Sequence, residues 1–405
     1  MKAGWEEVAL GEVTQSINGL WKGKKPPFRK ARVLRNTNFR SHGKLSLDDV
    51  AEIEVQVSQF AKRKLQKGDI ILERSGGGPK QPVGRVAYFN EDGDDFSFSN
   101  FTSVIRVSDQ RLDPRYLLQV LNGWHYLGET EKLQKRSTGI RNLRFAEYKA
   151  KTIPLPPLEE QKRIVAVLDA AFAKLDRART NVEANLSDAE ECYTIATQEL
   201  FFDQNFEVES ATLGDLVEVA SGSGFPKSCQ GLQDEQHPFF KVSDMNTPGN
   251  EFALTSANNY ISEDTRKALG ARVIKKSAIV FPKVGGAIST NKKRVMSVDG
   301  CVDNNIMALL PDKEIVMPNY LHEWLRAFDI FEFSNKAALP SITQKTVKAW
   351  PIQLPSRDKQ RDCVEKAVSL RAKMELVRNS LATQLADLDA LRQSLLQRAF
   401  AGELT

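Results

Sequence analysis

A glycine-rich segment from Arg74 to Lys80 (RSGGGPK) is the first place where the side chains could do chemistry. Loops rich in glycine, followed by a lysine, can cradle a phosphate through their backbone N–H groups. The nucleotide-binding form of such a loop needs a longer glycine spacing and a Lys-Ser or Lys-Thr pair, and this segment has neither. We therefore predict a glycine turn after a strand here and no nucleotide site.

Two further segments resemble parts of catalytic motifs without completing them. Lys25 to Phe28 (KPPF) is similar to the Asn-Pro-Pro-aromatic motif of amino-group DNA methyltransferases. The first residue of that motif must accept a hydrogen bond, and a lysine can only donate one. Glu147 to Lys149 fits the end of a nuclease motif, but that pattern is too loose to carry weight. With no catalytic triad and no glycine-rich turn for a methyl donor, the chain is predicted not to be an enzyme.

The cysteines and histidines predict no metal site and no disulfide framework. The four cysteines lie far apart, and there are only four histidines, so the spacing of metal ligands is missing. The N-terminus does not resemble a signal peptide, and no apolar run is long enough for a membrane span. We expect a cytoplasmic protein without cofactor or metal.

Basic residues are concentrated in windows that contain no carboxylate. Residues 13–47 hold nine lysines and arginines, interleaved with Trp21, Phe28 and Phe39, and residues 265–298 hold nine more. Shorter windows of the same kind cover residues 132–146 and 333–357. One such window is usually a solvated surface. Four windows placed alike in two halves of a chain with a net charge of only +5 favour nucleic acid as the ligand.

The chain is one unit written twice. Residues 67–77 (KGDIILERSGG) correspond to residues 276–286 (KSAIVFPKVGG), and similar pairs follow one another with an offset between 199 and 209. This constancy predicts a tandem duplication. We call the two globular segments head one and head two.

Each copy ends in a long segment with helical periodicity. Apolar or small residues recur every three or four positions over residues 164–196 and 364–399, and neither run contains proline or glycine. Each segment predicts a helix of roughly 40 residues and about 60 Å. The predicted contact seam comprises Leu168, Leu175, Val182, Met374, Leu381 and Leu388.

Connectivity predicts how these pieces assemble. The first helix leads from head one to head two, and the second helix can bury its seam by lying back along the first. The predicted fold class is α+β, with two globular domains separated by two long helices in an antiparallel coiled coil, pseudo-twofold symmetric. The expected boundaries are residues 1–153 for head one, 154–204 for the first helix, 205–352 for head two and 353–405 for the second helix.

The whole chain resembles the specificity subunits of type I restriction-modification systems. The segments that carry the resemblance are WEEVALG at residues 5–11, GDIIL at 68–72, LPPLEEQKRIV at 155–165, QELF at 198–201 and LLQRAFAGEL at 395–404. The segment just before and at the start of each long helix is called its lead-in. The second lead-in departs from the pattern at residues 356–359 (SRDK), where the first lead-in has PLEE.

The resemblance implies a division of labour. Each head would read one half of a bipartite double-stranded DNA site, and the helices would set the gap between the halves. Two modification subunits would carry the methyltransferase activity and its donor S-adenosylmethionine, and a restriction subunit would cleave.

Base-reading positions are not transferred from the family, so the predicted DNA-binding residues rest on charge and hydrogen-bonding capacity. In head one they are Lys24, Lys25, Arg29, Arg35, Arg74 and Arg141. In head two they are Lys227, Lys241, Lys283, Lys292, Arg294 and Gln344.

Three alternatives stay open at this point. A repressor-like DNA-binding protein would act without methyltransferase partners. A methyltransferase or nuclease fused to a recognition module would be active with its donor or magnesium alone. A pure coiled-coil scaffold would have no use for two basic heads.

Overall fold

The computed structural model describes residues 4–78, 81–137, 140–202, 209–335 and 337–404. It divides into two compact units, Met1–Glu183 with Ala382–Thr405, and Ala184–Leu381. Each unit combines one of the expected head segments with part of both long helices. Over the described residues, no helix is long and apolar enough to cross a membrane.

Unit one contains head one, a mixture of short helices and strands. Its strands are β1 Glu6–Ala9, β2 Thr14–Asn18, β3 Phe28–Leu34, β4 Ala51–Gln56, β5 Ile70–Glu73, β6 Ser75–Gly77, β7 Val86–Tyr88, β8 Phe96–Phe98, β9 Thr102–Val107, β10 Gln134–Ser137, β11 Ile140–Leu143 and β12 Thr152–Leu155. Its helices are α1 Leu10–Val13, α2 Val57–Ala61, α3 Pro114–Tyr126, α4 Glu129–Lys132 and α5 Phe145–Ala150. The strands form sheets with the orders β2-β9-β5-β7, β4-β3-β8, β10-β11-β6 and β1-β12.

The first long helix, α6 Leu158–Phe202, has 45 residues. Head two follows, with strands β13 Glu209–Thr212, β14 Val217–Ser221, β15 His237–Phe240, β16 Ala253–Leu254, β17 Tyr260–Ile261, β18 Ile279–Pro282, β19 Arg294–Met296, β20 Cys301–Val302, β21 Ile306–Pro311 and β22 Pro351–Leu354. Its helices are α7 Leu213–Leu216, α8 Glu263–Ala268, α9 Pro318–Arg326 and α10 Gln344–Lys348. The sheets have the orders β14-β21-β18-β19-β16, β17-β15-β20 and β13-β22. The second long helix, α11 Arg357–Ala401, also has 45 residues.

The two long helices run antiparallel where they meet within each unit. In unit one, Asp176 of α6 pairs with Arg392 of α11, and Arg179 pairs with Asp389. In unit two, the Glu190 carboxylate lies 3.2 Å from the Arg378 guanidinium. The partner number falls as the residue number rises, which is the register of an antiparallel pair. Of the predicted seam, Leu168, Leu175, Val182, Met374 and Leu381 are buried and Leu388 is half-buried.

A buried glutamine attaches the start of each long helix to its head. The Gln161 side-chain amide donates to the carbonyls of Pro156 (2.8 Å) and Arg111 (2.7 Å), and its oxygen accepts from the Asp113 N–H (2.8 Å). Gln360 repeats this arrangement, donating to the Pro355 carbonyl at 2.9 Å and accepting from the Met317 N–H at 2.9 Å. The second lead-in therefore keeps its anchor although residues 356–359 depart from the first.

Asp176 of the first long helix makes charged contacts with both the second long helix and head one. It accepts from the Arg392 guanidinium, whose side chain is only 5% exposed, and lies 3.3 Å from the Lys44 ammonium of head one. A charge buried to this extent is costly unless it is paired. The Asp389 carboxylate makes a comparable contact with Arg179, but it is 58% exposed.

Asp176→Ala is expected to lower the free energy of unfolding of unit one by about 1–3 kcal/mol, because it leaves the buried Arg392 without a counter-ion. Asp389→Ala is the matched control, and removing this exposed pair is expected to cost less than about 1 kcal/mol. Urea unfolding followed by circular dichroism measures both. Equal losses in the free energy of unfolding for the two variants would contradict the role of Asp176 as the counter-ion of a buried arginine.

Candidate nucleic-acid interface

The same strand end carries a cation in both heads. Arg74 follows the last residue of β5, and Lys283 follows the last residue of β18. The backbone confirms the correspondence, since the Leu143 N–H donates to the Arg74 carbonyl at 2.8 Å and the Ile342 N–H donates to the Lys283 carbonyl at 2.9 Å. The duplication thus places one basic side chain at an equivalent site in each head.

A glycine allows a second chain segment to approach each site. A Cβ added at Gly19 would lie 1.8 Å from the Ser99 carbonyl oxygen, and one added at Gly222 would lie 1.9 Å from that of Asp303. No side chain fits at either distance, so only glycine can occupy these positions. The close approach holds the residue just before each glycine, Asn18 or Ser221, at the end of its strand.

Arg74 is held by three neighbours in head one. Its Nη1 donates to Asn18 Oδ1 at 2.7 Å and to Ser103 Oγ at 3.1 Å, and its guanidinium carbon lies 4.2 Å from the centre of the Phe145 ring. Partial burial lowers the pKa of Arg74 from its ordinary value. The guanidinium is thus fixed in direction, and part of it faces a cleft.

That cleft has a volume of about 660 Å³ and a composition suited to DNA. Its walls contain two cations, several asparagine and serine side chains, and two exposed aromatic rings, with no carboxylate among the lining residues. The lining residues are Ser16, Asn18, Gly19, Trp21, Arg74, Ser75, Asn100, Phe101, Asn142, Leu143, Phe145 and Lys149. Cations can neutralise phosphates, and amide side chains can hydrogen-bond to base edges.

Head two builds the corresponding site from different side chains. The Lys283 ammonium donates to Ser221 Oγ at 2.9 Å, and the Gln344 side-chain amide donates to the same oxygen at 3.0 Å. Gln344 begins α10, as Phe145 begins α5 in head one. The pKa of Lys283 is lowered from its ordinary value, because the effect of burial exceeds the opposing effect of nearby Asp303. Two predicted residues, Lys283 and Gln344, therefore meet at one serine.

The other residues predicted in head one are spread over its surface. Lys24 and Lys25 are exposed in the loop between β2 and β3. Arg29 packs over the Phe60 ring at 4.0 Å, and Arg35 is exposed with Asp49 at 3.9 Å. Arg141 lies in β11, where its Nη1 donates to Gln134 Oε1 at 3.4 Å. Of the predicted residues in head one, Arg74 alone lines the cleft.

In head two, three predicted residues lie in other loops. Lys227 is exposed at the start of a short 3-10 turn. The Lys241 ammonium donates to Gln230 Oε1 at 2.9 Å, and Lys292 contacts the side-chain oxygen of Asn246. These side chains have no contact with Ser221 among the described interactions.

Arg294 requires a correction, because it is buried. Its guanidinium donates to the backbone carbonyls of Asn250 (2.6 Å), Lys293 (3.0 Å) and Met245 (3.1 Å). Burial lowers the pKa of Arg294, and it lowers that of the adjacent Lys293 to about 7. Both cations belong to the interior of head two and are not placed to meet a phosphate.

In the glycine-rich segment, Ser75–Gly77 forms strand β6, which pairs with β11. Directly after it, Gly78 and Gln81 exchange backbone hydrogen bonds at 3.0 and 3.2 Å. Pro79 and Lys80 lie outside the described residues. Sequence reasoning also missed Asn18, Ser103 and Ser221, which hold the two cations. Aligning the two copies around Gly19 and Gly222 would have found Asn18 and Ser221.

Comparison with known proteins gives one consistent family. Residues 2–184 and 205–383 match the family described as "Type I restriction modification DNA specificity domain". The type I restriction enzyme StySPI specificity subunit of Salmonella potsdam is 23% identical, over 99% of this chain and 89% of its own. The EcoKI specificity subunit of Escherichia coli K12 is 22% identical, with the same coverage of both chains.

Two solved structures share the fold. A chain from work on complex assembly and conformational transition of the type I R-M system aligns with a TM-score of 0.80 and 21% identity, covering 100% of this chain and 99% of that one. The HsdS subunit from Thermoanaerobacter tengcongensis aligns with a TM-score of 0.58 and 21% identity, covering 100% and 98%.

Arg294→Ala is expected to destabilise head two by about 1–3 kcal/mol, because it removes the side-chain donor from the carbonyls of Asn250 and Met245. Lys292→Ala, two positions earlier and partly exposed, serves as the control and should change the stability little. Denaturant unfolding followed by tryptophan fluorescence, to which the buried Trp324 and Trp350 of head two contribute, measures both. Full stability of Arg294→Ala would contradict the interior role.

Proposed function

Because the chain belongs to the type I restriction-modification DNA specificity family, we propose that it is the DNA-recognition subunit of such a system and that each head binds one half of a bipartite site. The observation that carries the proposal is the repeated site at Arg74 and Lys283. The backbone arrangement of the site occurs once in each head, with equivalent cations at equivalent strand ends. This repetition suits a ligand that presents two similar surfaces.

The differences between the two sites support recognition of unlike half-sites. Arg74 offers a planar fork of donors that can pair with two acceptors at once, whereas Lys283 offers a compact ammonium. Phe145 stands beside the first cation and Gln344 approaches the second site. Since arginine and lysine prefer the edge of guanine whereas glutamine prefers that of adenine, Gln344 would give the two heads different sequence preferences.

We assign catalysis to partner subunits. S-adenosylmethionine would be bound by two modification subunits, and a restriction subunit would cleave the DNA. The sequence supports this division, because Lys25 cannot supply the hydrogen-bond acceptor that methylation of a base amino group requires. The long helices would fix the distance between the half-sites. A repressor-like protein acting alone is the alternative that the first experiment addresses.

Adenine methylation across genomic DNA is expected to follow a split sequence motif only when this chain is present together with its modification subunits. Sequencing that detects methylated bases, in cells with and without the chain, reads both half-sites in one experiment. Unchanged methylation with expressed and active modification subunits would favour the repressor-like alternative.

Arg74→Ala and Lys283→Ala are each expected to weaken DNA binding by about 1–3 kcal/mol and to relax discrimination at different half-sites. Fluorescence anisotropy with duplexes altered in one half at a time measures affinity and discrimination. Lys67→Ala is the control, because this exposed lysine of head one pairs with Asp92 and lies outside the cleft. Relaxation of the same half-site by both variants would contradict the assignment of one half to each head.

A further inference from the structure

One tryptophan of the chain differs from the other four in its surroundings. Trp21 is 63% exposed, whereas Trp5, Trp124, Trp324 and Trp350 are between 1% and 9% exposed. It follows directly on the segment that Gly19 brings against Ser99, and Leu20 is bridged to Ser99. A large aromatic ring is thus presented to solvent from a backbone that is held at a fixed crossing point.

A second exposed ring lies in the same cleft. Phe101 is 47% exposed, and its carbonyl accepts from the N–H groups of Arg74 (2.9 Å) and Ser75 (3.1 Å). The backbone that carries Phe101 is therefore tied to the strand end that carries the cation. Trp21 and Phe101 both line the cleft, together with Arg74, Lys149 and three asparagines.

The chemistry of the cleft selects its ligand. Exposed rings beside cations and amides, with no carboxylate among the lining residues, match a nucleobase attached to a phosphate backbone. An apolar protein surface would bury the two cations of the cleft without a counter-charge. Every base has a face that can stack on an indole, so a stacking role requires no particular base.

Head two has no aromatic residue at the equivalent positions. Ser223 is bridged to Asp303 as Leu20 is to Ser99, so Trp21 corresponds to Gly224 and Phe101 corresponds to Asn305. Gly224 is exposed, and a Cβ built on it meets no atom within 4 Å. The two sites share a backbone arrangement, and the exposed aromatic rings at these two positions belong to head one alone.

We propose that Trp21, supported by Phe101, stacks against a nucleobase in the half-site bound by head one, and that head two binds its half-site without such stacking. This inference rests on the proposed function. Stacking on a protein ring requires a base that is partly withdrawn from its neighbours, which costs the duplex a few kcal/mol per step. The distortion of the DNA would therefore be confined to one half of the site.

The test uses the full chain and duplexes that it enriches from a random-sequence pool. Thymines of an enriched duplex are replaced one at a time by iodouracil, which forms a photo-crosslink with an aromatic ring stacked on it. We expect crosslinked peptides that contain Trp21, at positions within one half-site only. Contact with a phosphate or with another protein does not give this product.

Substitution measures the contribution of the ring. Trp21→Ala is expected to weaken binding roughly 5- to 150-fold, the range for loss of one stacked base, and Trp21→Phe should recover most of that loss. Leu391→Ala, which removes an exposed apolar side chain on α11, should bind as the original chain does. Circular dichroism verifies that the variants fold.

The outcomes separate this inference from the proposed function. The chain could enrich duplexes and bind them in a salt-dependent way, yet give no Trp21 crosslink and no loss of affinity for Trp21→Ala. This result would overturn the stacking role and leave the DNA-recognition proposal standing. Crosslinks in both half-sites would overturn the asymmetry. Failure to enrich any duplex would remove the proposed function and this inference with it.

Discussion

Burial of apolar surface against the long helices completes the core of each head. In unit one, Ile164, Leu168 and Leu396 from the helices belong to the same core as Tyr116 and the other buried residues of head one. In unit two, Phe201, Cys363 and Ala367 do the same for head two. A helix of this length cannot bury its apolar stripe alone, and a head without the helices would expose part of its core. The compact units therefore cut across the boundaries between heads and helices.

The sequence was most informative where periodicity and repetition carry the signal. The duplication, the α+β class and the two long helices follow from spacing alone, and the described residues bear them out. Gln161 and Gln360 lie in the lead-ins to the two long helices. That they attach each helix to its head is visible only from the three-dimensional contacts. Hydrogen bonds between residues about 50 positions apart leave no periodic pattern in a sequence.

Prediction of the site was weaker because composition does not reveal burial. Arg74 and Arg294 look alike in a charge count, yet one faces a cleft and the other caps three backbone carbonyls. The residues that hold the cations are neutral, so a search for basic windows passes over them. What distinguishes the two arginines is the path of the backbone around them, which near Arg74 includes the close approach at Gly19, far away in the sequence.

The glycine crossings also bear on how such a protein can evolve. At Gly19 and Gly222 even a methyl group would collide with a backbone carbonyl, so these positions tolerate almost no change. The neighbouring positions have already diverged, with arginine against lysine at the cation and phenylalanine against glutamine beside it. Mutations can thus alter what a head recognises while the frame that orients the side chains is inherited unchanged.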